Sequence, residues 1–263
     1  MKLVKAALAS GLAGVLALAL GLAATGVAYA GDAQLKGPPE AACWISSFEG
    51  DGFSVCRYAP GQDDIGLAWR SRGQPLDSLP GLKSSLGADG SRVAFAMNAG
   101  MYDKARSPLG LYVAAGQELR PLNRSAGAGN FFLLPNGVFW VGRDGAPHID
   151  ETSAFADRKV HPRWATQSGP LLVRAGALHP SLAPNGTSLA VRNGVGVRGG
   201  EALFVISNQP VSFGRFARFL RDGLGCADGL YLDGAISSLW APGLGRLDRR
   251  TGLGTFVVVT RKR

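Results

Sequence analysis

The sequence predicts an α+β fold, a single β-rich domain with a mixed sheet and a few helices. Three observations carry this. Short apolar runs bounded by Gly, Pro, Asn and Asp recur along the chain, which is the pattern of strands joined by tight turns. Only one segment has sustained helical periodicity. The regular strand–helix alternation of a doubly wound fold is missing. The chain has 263 residues, 46% of them apolar and 18% charged. That is enough for one real core and too apolar for a disordered tail.

The elements follow in order. Lys2 and Lys5 precede an uncharged apolar run over residues 6–27, and Ala28-Tyr29-Ala30 then offers the small-x-small pattern of a cleavage site. Residues 1–30 therefore read as a secretory signal peptide, with an uncleaved anchor as the rival. Residues 31–42 read as a loose leader and residues 43–263 as the domain. Cys43 and Cys56 flank the turn signal Gly50-Asp51-Gly52, so in an oxidising compartment a disulfide closing a hairpin is expected. Cys226 reads as a buried apolar residue.

Strands are expected over residues 93–97, 110–114, 130–134, 138–141, 170–173, 194–197, 202–207, 230–232 and 255–260. Pro135-Asn136-Gly137 and Arg198-Gly199-Gly200-Glu201 are expected to turn hairpins. The clear helix begins at Ser212 as N-cap, with Phe213, Phe216, Ala217, Leu220 and Leu224 on one face and Gly223 and Gly225 as the stop. Shorter helical pieces are expected near residues 76–86 and 154–159.

The formal charge is +9. Removing residues 1–30 takes two lysines and no acid, leaving +7. The remaining Arg residues are scattered through loops, without a basic helix or zinc-finger spacing, so nucleic acid is not an expected partner. After signal cleavage no stable membrane insertion is expected. The location implied is periplasmic or secreted, and an anionic substrate or envelope polymer suits the charge.

Common motifs fail. Gly194-Val195-Gly196-Val197-Arg198-Gly199 has dinucleotide-loop spacing but runs from strand to strand rather than into a helix. The sequence contains no Walker loop, G-x-S-x-G elbow or H-E-x-x-H motif. The histidines are isolated. No cofactor is expected, although a divalent metal is left open. What remains is four polar clusters at apolar strand ends: Asn98 to Tyr102, Gln167-Ser168, Arg192-Asn193, and Asp233 to Ser237. Each alone reads as turn chemistry; together they suggest convergence at one rim.

At these clusters the sequence resembles the phosphodiester glycosidase family, in its bacterial exported branch. The lysosomal branch of the family removes N-acetylglucosamine from its phosphodiester on mannose 6-phosphate. The resemblance rests on Asn98-Ala99-Gly100-Met101-Tyr102, Ser107-Pro108-Leu109-Gly110-Leu111-Tyr112, Gly129-Asn130-Phe131-Phe132 and residues 165–170. It continues through Arg192-Asn193-Gly194-Val195-Gly196, Phe216-Ala217-Arg218-Phe219-Leu220-Arg221-Asp222 and residues 224–238. The lysosomal branch has Leu-Asp-Gly-Gly-Gly-Ser where this chain has Leu232-Asp233-Gly234-Ala235-Ile236-Ser237, and the bulkier residues narrow the space beside the acid.

The resemblance implies a hydrolase of bonds between a sugar anomeric carbon and a phosphodiester, with a glycan or sugar-phosphate substrate. Asp233 is expected on the anomeric side as nucleophile or base. A fixed Arg192 is expected on the departing phosphate, which is already a stable anion and needs charge stabilisation more than protonation. Asn98, Gln167 and Ser237 are expected to hydrogen-bond substrate, with Ser168 and Asn193 as second choices. Tyr102 is expected against a sugar face, and Asp103 is a possible second acid. Two rival readings stand beside this one. A non-catalytic envelope glycan binder would use Trp69, Trp140, Trp164 or Trp240 as platforms. A metal-assisted phosphodiesterase would cut P–O instead.

Overall fold

The computed structural model describes residue 38 and residues 40–233 and 236–262. The expected signal peptide, most of the leader, and Gly234 and Ala235 of the Asp233 cluster lie outside the described residues. Among the described residues no helix is long and apolar enough to cross a membrane.

Three sheets build the domain. The largest has seven strands in the order Cys43–Phe48, Asp51–Tyr58, Glu201–Ser207, Asn193–Arg198, Asp228–Asp233, Leu171–Arg174 and Ala177–Leu178. The second holds Pro147–Glu151, Gly137–Val141, Trp164–Ser168, Tyr112–Ala114 and Gln117–Arg120. The third holds Arg246–Leu247, Leu239–Ala241, Val93–Asn98, Phe256–Arg261 and Asp63–Ala68. A small hairpin, Arg70–Ser71 with Gln74–Pro75, stands apart.

All ladders among the described residues are antiparallel, where a mixed sheet is expected. Parallel neighbours need long crossovers, usually helical. Among the described residues the α-helices, Leu79–Leu86, Thr152–Arg158 and Phe213–Arg218, are short and cover faces instead.

The inner faces of the three sheets meet in one core. Phe204, Phe95 and Phe139 come one from each sheet, with ring centroids 5.5 Å apart for Phe95–Phe204 and 5.4 Å for Phe139–Phe204. The outer face of the seven-stranded sheet is closed by the helix that Ser212 caps, its Oγ accepting from Arg215 N at 3.2 Å. Phe53 of the sheet stacks on Phe219 at 3.9 Å. The expected helix loosens after Arg218 into a π turn, Phe219–Gly223, closed by Leu224 N donating to the Phe219 carbonyl at 2.9 Å.

The hairpin at Arg198-Gly199-Gly200-Glu201 forms, with positive φ at both glycines. Cys43 and Cys56 are direct cross-strand partners joined by a disulfide. Their hairpin turns one residue earlier than the glycines suggest, at Glu49-Gly50. Cys226 is buried, and burial pushes its thiol up to about 12.

The expected strand at 130–134 is absent. Asn130–Phe132 is a 3₁₀ turn, and Gly137–Val141 pairs with Pro147–Glu151 and Trp164–Ser168 instead. Pro135 has no N–H for a ladder. Asn136 Nδ2 bonds the Phe131 carbonyl at 2.8 Å, which fastens the segment as a turn.

Candidate active site

Asp233 ends the Asp228–Asp233 strand and is 7% exposed. The register there contains a bulge: Gly194 faces Tyr231, but Asn193 faces Asp233, so the acid's strand takes up one extra residue. Bulges re-aim side chains at sheet ends. This one brings Asp233 to the end of the neighbouring sheet's Val93–Asn98 strand.

Two buried asparagines fix the acid. Asn98 Nδ2 donates to Asp233 Oδ2 at 3.1 Å, and Asn98 Oδ1 accepts from Ser238 N at 2.8 Å. Asn193 Oδ1 accepts the Asp233 backbone N–H at 2.8 Å, while Asn193 Nδ2 donates to the Asn98 carbonyl at 2.7 Å. Asp233 is thus held by groups from two sheets, its carboxylate by Asn98 and its backbone by Asn193. The Tyr102 hydroxyl shares a side-chain hydrogen bond with Asp233; burial first, then that neighbouring charge, raises its pKa, so it stays protonated. The Tyr102 ring lies on Gly254, where a Cβ would fall within 2.7 Å of ring carbons. Gly254 is required there by close approach.

Other expected site residues are engaged differently. Gln167 is 1% exposed, and its amide is committed to the protein. Its Oε1 accepts from Leu111 N at 3.0 Å and Asn123 N at 2.8 Å, and its Nε2 donates to the Asn123 carbonyl at 2.7 Å. It therefore braces a loop rather than presenting donors to a sugar. Ser168 Oγ donates to the Leu232 carbonyl at 2.8 Å, fixing the residue before Asp233. Ser237 Oγ lies 2.9 Å from the Val191 carbonyl and 3.0 Å from the Asp233 carbonyl.

Asp103 is exposed and accepts Ser107 N at 2.9 Å, so it closes a surface turn instead of serving as a second acid. Trp140 and Trp240 are buried at 8% and 3% exposure and belong to the core, not to a sugar platform. Trp164 is half-buried against the central core.

Arg192 is 2% exposed, too deep for the bidentate phosphate contact expected of it. Its Nε donates to the Val211 carbonyl at 2.9 Å, Nη1 to Tyr231 Oη at 3.1 Å and Nη2 to the Ser188 carbonyl at 2.8 Å. The guanidinium lies 3.6 Å over the Phe213 ring. Each of these partners is neutral. Desolvation lowers its pKa from the arginine value, and burial pushes the Tyr231 phenol up to about 12.

A second arginine, which the motifs do not single out, stands at the rim. Tyr102 and Pro108 form an isolated bridge at the base of a loop, and Arg106 lies within that loop. Its guanidinium pairs with the Asp77 carboxylate, and its carbonyl accepts Trp69 Nε1 at 2.6 Å. Asp77 also accepts Gly252 N at 2.9 Å and bridges Leu253, next to Gly254. Arg106 and Asp77 have φ of +60° and +66°, the left-handed region that non-glycine residues rarely adopt. Such strain gathers at functional sites. The Arg106 charge is felt at the Tyr102 hydroxyl. Among the described residues no group of three or more His, Cys, Asp and Glu is placed to hold a metal ion.

A family model described as phosphodiester glycosidase matches residues 91–255, which include Asn98, Tyr102, Arg106, Arg192, Asn193 and Asp233. The chain belongs to the phosphodiester glycosidase family. It is similar to an uncharacterised Escherichia coli K12 protein, YigE, at 37% identity over 207 residues, covering 77% of this chain and 80% of that protein. Its fold is similar to the catalytic domain of zebrafish N-acetylglucosamine-1-phosphodiester alpha-N-acetylglucosaminidase, auto-inhibited by pro-peptide. That likeness has a TM-score of 0.59 and 14% identity over 84% of this chain and 82% of that one. A hypothetical protein from Synechocystis is similar in fold at TM-score 0.52 and 16% identity, covering 84% of this chain and 61% of that one.

Proposed function

We propose that this phosphodiester glycosidase family member is an exported hydrolase that cleaves the bond between a sugar anomeric carbon and a phosphodiester. The observation that carries the reading is the single carboxylate of Asp233, fixed through Asn98 and Asn193 at a strand end beside Tyr102.

Asp233 acts at the anomeric carbon, as nucleophile or as base toward water. Asn98 holds its Oδ2 and sets its direction. Tyr102, kept neutral, donates a hydrogen bond and offers its ring edge to the sugar. The leaving group is a phosphate monoester, so the site needs positive charge more than a second carboxylic acid. Two arginines divide that task. Arg192, whose partners are all neutral, supplies an uncompensated charge from the interior and orients Tyr231 on the acid's own strand. Arg106, 36% exposed on its side chain, is the cation that meets the phosphate directly. Asn193, Ser168, Ser237 and Gln167 are positioning residues. The signal-like first thirty residues and the Cys43–Cys56 disulfide support export to an oxidising compartment, periplasmic or extracellular.

The test is hydrolysis of sugar-1-phosphodiesters in heavy-oxygen water, with Asp233→Asn as control. Label in the sugar supports C–O cleavage. Label in the phosphate overturns the reading in favour of a phosphodiesterase, and saturable binding without product makes the chain a glycan binder.

A further inference from the structure

A cavity of about 580 Å³ lies away from Asp233, between the 123–127 loop, the 132–136 segment, the start of the Thr152–Arg158 helix and the end of the Leu171–Arg174 strand. Its size suits one or two sugar rings. Two cations line it from separate elements, Arg124 on the loop and Arg174 on the strand. Among the described residues neither has an ion pair or a side-chain hydrogen bond. The one acid in the wall, Glu151, is committed to Ser153 N at 3.0 Å and Ala154 N at 3.3 Å.

The remaining walls are of mixed polarity. Thr152 Oγ1 donates to Asn136 Oδ1 at 2.7 Å and accepts from Gln167 Nε2 at 3.2 Å. Leu134 also lines the cavity and is 67% exposed, although its carbonyl is tied to His179 Nε2 at 3.0 Å. A large apolar side chain held in water in a cavity that the exposed Ser125 and Ser153 also line is the arrangement that meets a sugar's C–H face and hydroxyls together. Guanidinium forks beside it select for phosphate or carboxylate. The cavity and Asp233 are connected by consecutive residues of one strand: Gln167 braces the cavity wall, and Ser168 bonds the Leu232 carbonyl next to the acid.

We propose that this cavity is a second saccharide site, separate from the Asp233 centre, which binds a sugar bearing a phosphate or carboxylate group. It would hold an anionic glycan chain while another part of that chain, or another molecule, occupies the reacting centre.

The test is a methyl NMR titration of the full chain. Leu134 and Thr152 serve as reporters, and the probes are glucose 6-phosphate, glucuronate, glucose and inorganic phosphate. Saturable shifts are expected with at least one of the two anionic sugars, and which one responds identifies the anion. In the Arg124→Gln/Arg174→Gln double variant the affinity should fall about tenfold or more. Both arginines are exposed, and an unchanged melting temperature verifies that this variant folds. The same titration on Asp233→Asn separates this site from the reaction, because its result does not depend on turnover. The proposal is overturned if neither anionic sugar moves the reporters, if the double variant titrates like the unaltered chain, or if glucose binds equally well. Inorganic phosphate binding as tightly as glucose 6-phosphate would reduce the cavity to an anion site and overturn its saccharide part.

Discussion

Two arginines near the candidate active site show opposite solutions to placing a cation. Arg192 is buried, stacked on Phe213 and satisfied by neutral carbonyls and a phenol. Arg106 is half-exposed and paired with the carboxylate of Asp77 in a strained loop. The first keeps its full charge but cannot move to meet a ligand. The second can meet a ligand but has its charge partly offset and screened by water. The interior cation therefore contributes field and framework, whereas the rim cation contributes contact.

The comparison can be broken at its centre first. Asp233→Asn keeps the size of the side chain and removes the carboxylate proposed to act at the anomeric carbon, opposite the phosphate that the arginines are proposed to serve. Turnover should fall by about a thousandfold or more, a loss of the size seen when an acid–base or nucleophilic group is removed. Near-native unfolding in urea checks that the framework survives; retained turnover would remove Asp233 from the mechanism.

Arg192→Met comes next. It leaves the Val211 and Ser188 carbonyls and the Tyr231 hydroxyl without their buried donor. A stability loss of about 3 kcal/mol is expected in urea unfolding, together with reduced kcat. Arg192→Lys should recover only part of the stability, because one ammonium cannot span the three directions of the fork. Equal stability of Arg192→Lys and the unaltered chain would contradict the framework role.

Away from either arginine, Cys43→Ser with Cys56→Ser removes the cross-strand tie at the open end of the first hairpin. It should lower stability by about 2–3 kcal/mol with little change in kcat, read by thermal unfolding. A comparable loss of kcat would mean that this edge is coupled to the site.

The smallest effect on the fold is expected at the rim. Arg106→Gln should change stability by about 0.5 kcal/mol or less, as exposed ion pairs do. KM for a sugar-1-phosphodiester should rise about tenfold, with kcat reduced less. If stability fell as far as in Arg192→Met with KM unmoved, the division of labour between the two arginines would be wrong.

Much of the fold is legible in local sequence because its signals are local. Two glycines that tolerate positive φ turn the 198–201 hairpin. Ser212 ahead of a helical apolar stripe starts the Phe213–Arg218 helix and the π turn that follows it. The alternating or continuous apolar runs at 93–97 and 202–207 become strands with bounds shifted by at most one residue. The failures are also local signals, overridden by distant partners. The 130–134 run has strand composition, but its backbone is taken up by Asn136 and its side chains by a turn. Gln167 and Arg192 look like ligand-binding residues because they are polar in apolar surroundings. Their polar atoms are in fact claimed by residues 111 and 123, or 188, 211 and 231, which no spacing rule joins to them.

By itself, then, the sequence determined the β-rich class, the turn and cap chemistry, the family resemblance and the residue types gathered at strand ends. All of these are read from neighbours within a few positions. Tertiary structure alone decided the direction of each group. The bulge that re-aims Asp233 exists only in the register between two strands. The bond from Asn98 to Asp233 spans 135 positions. The pairing of Arg106 with Asp77 depends on two loops packed around Tyr102 and Gly254. Hydrogen bonds and burial act over a few ångströms in space, so their partners are named only once the sheets have brought those strand ends and loops together.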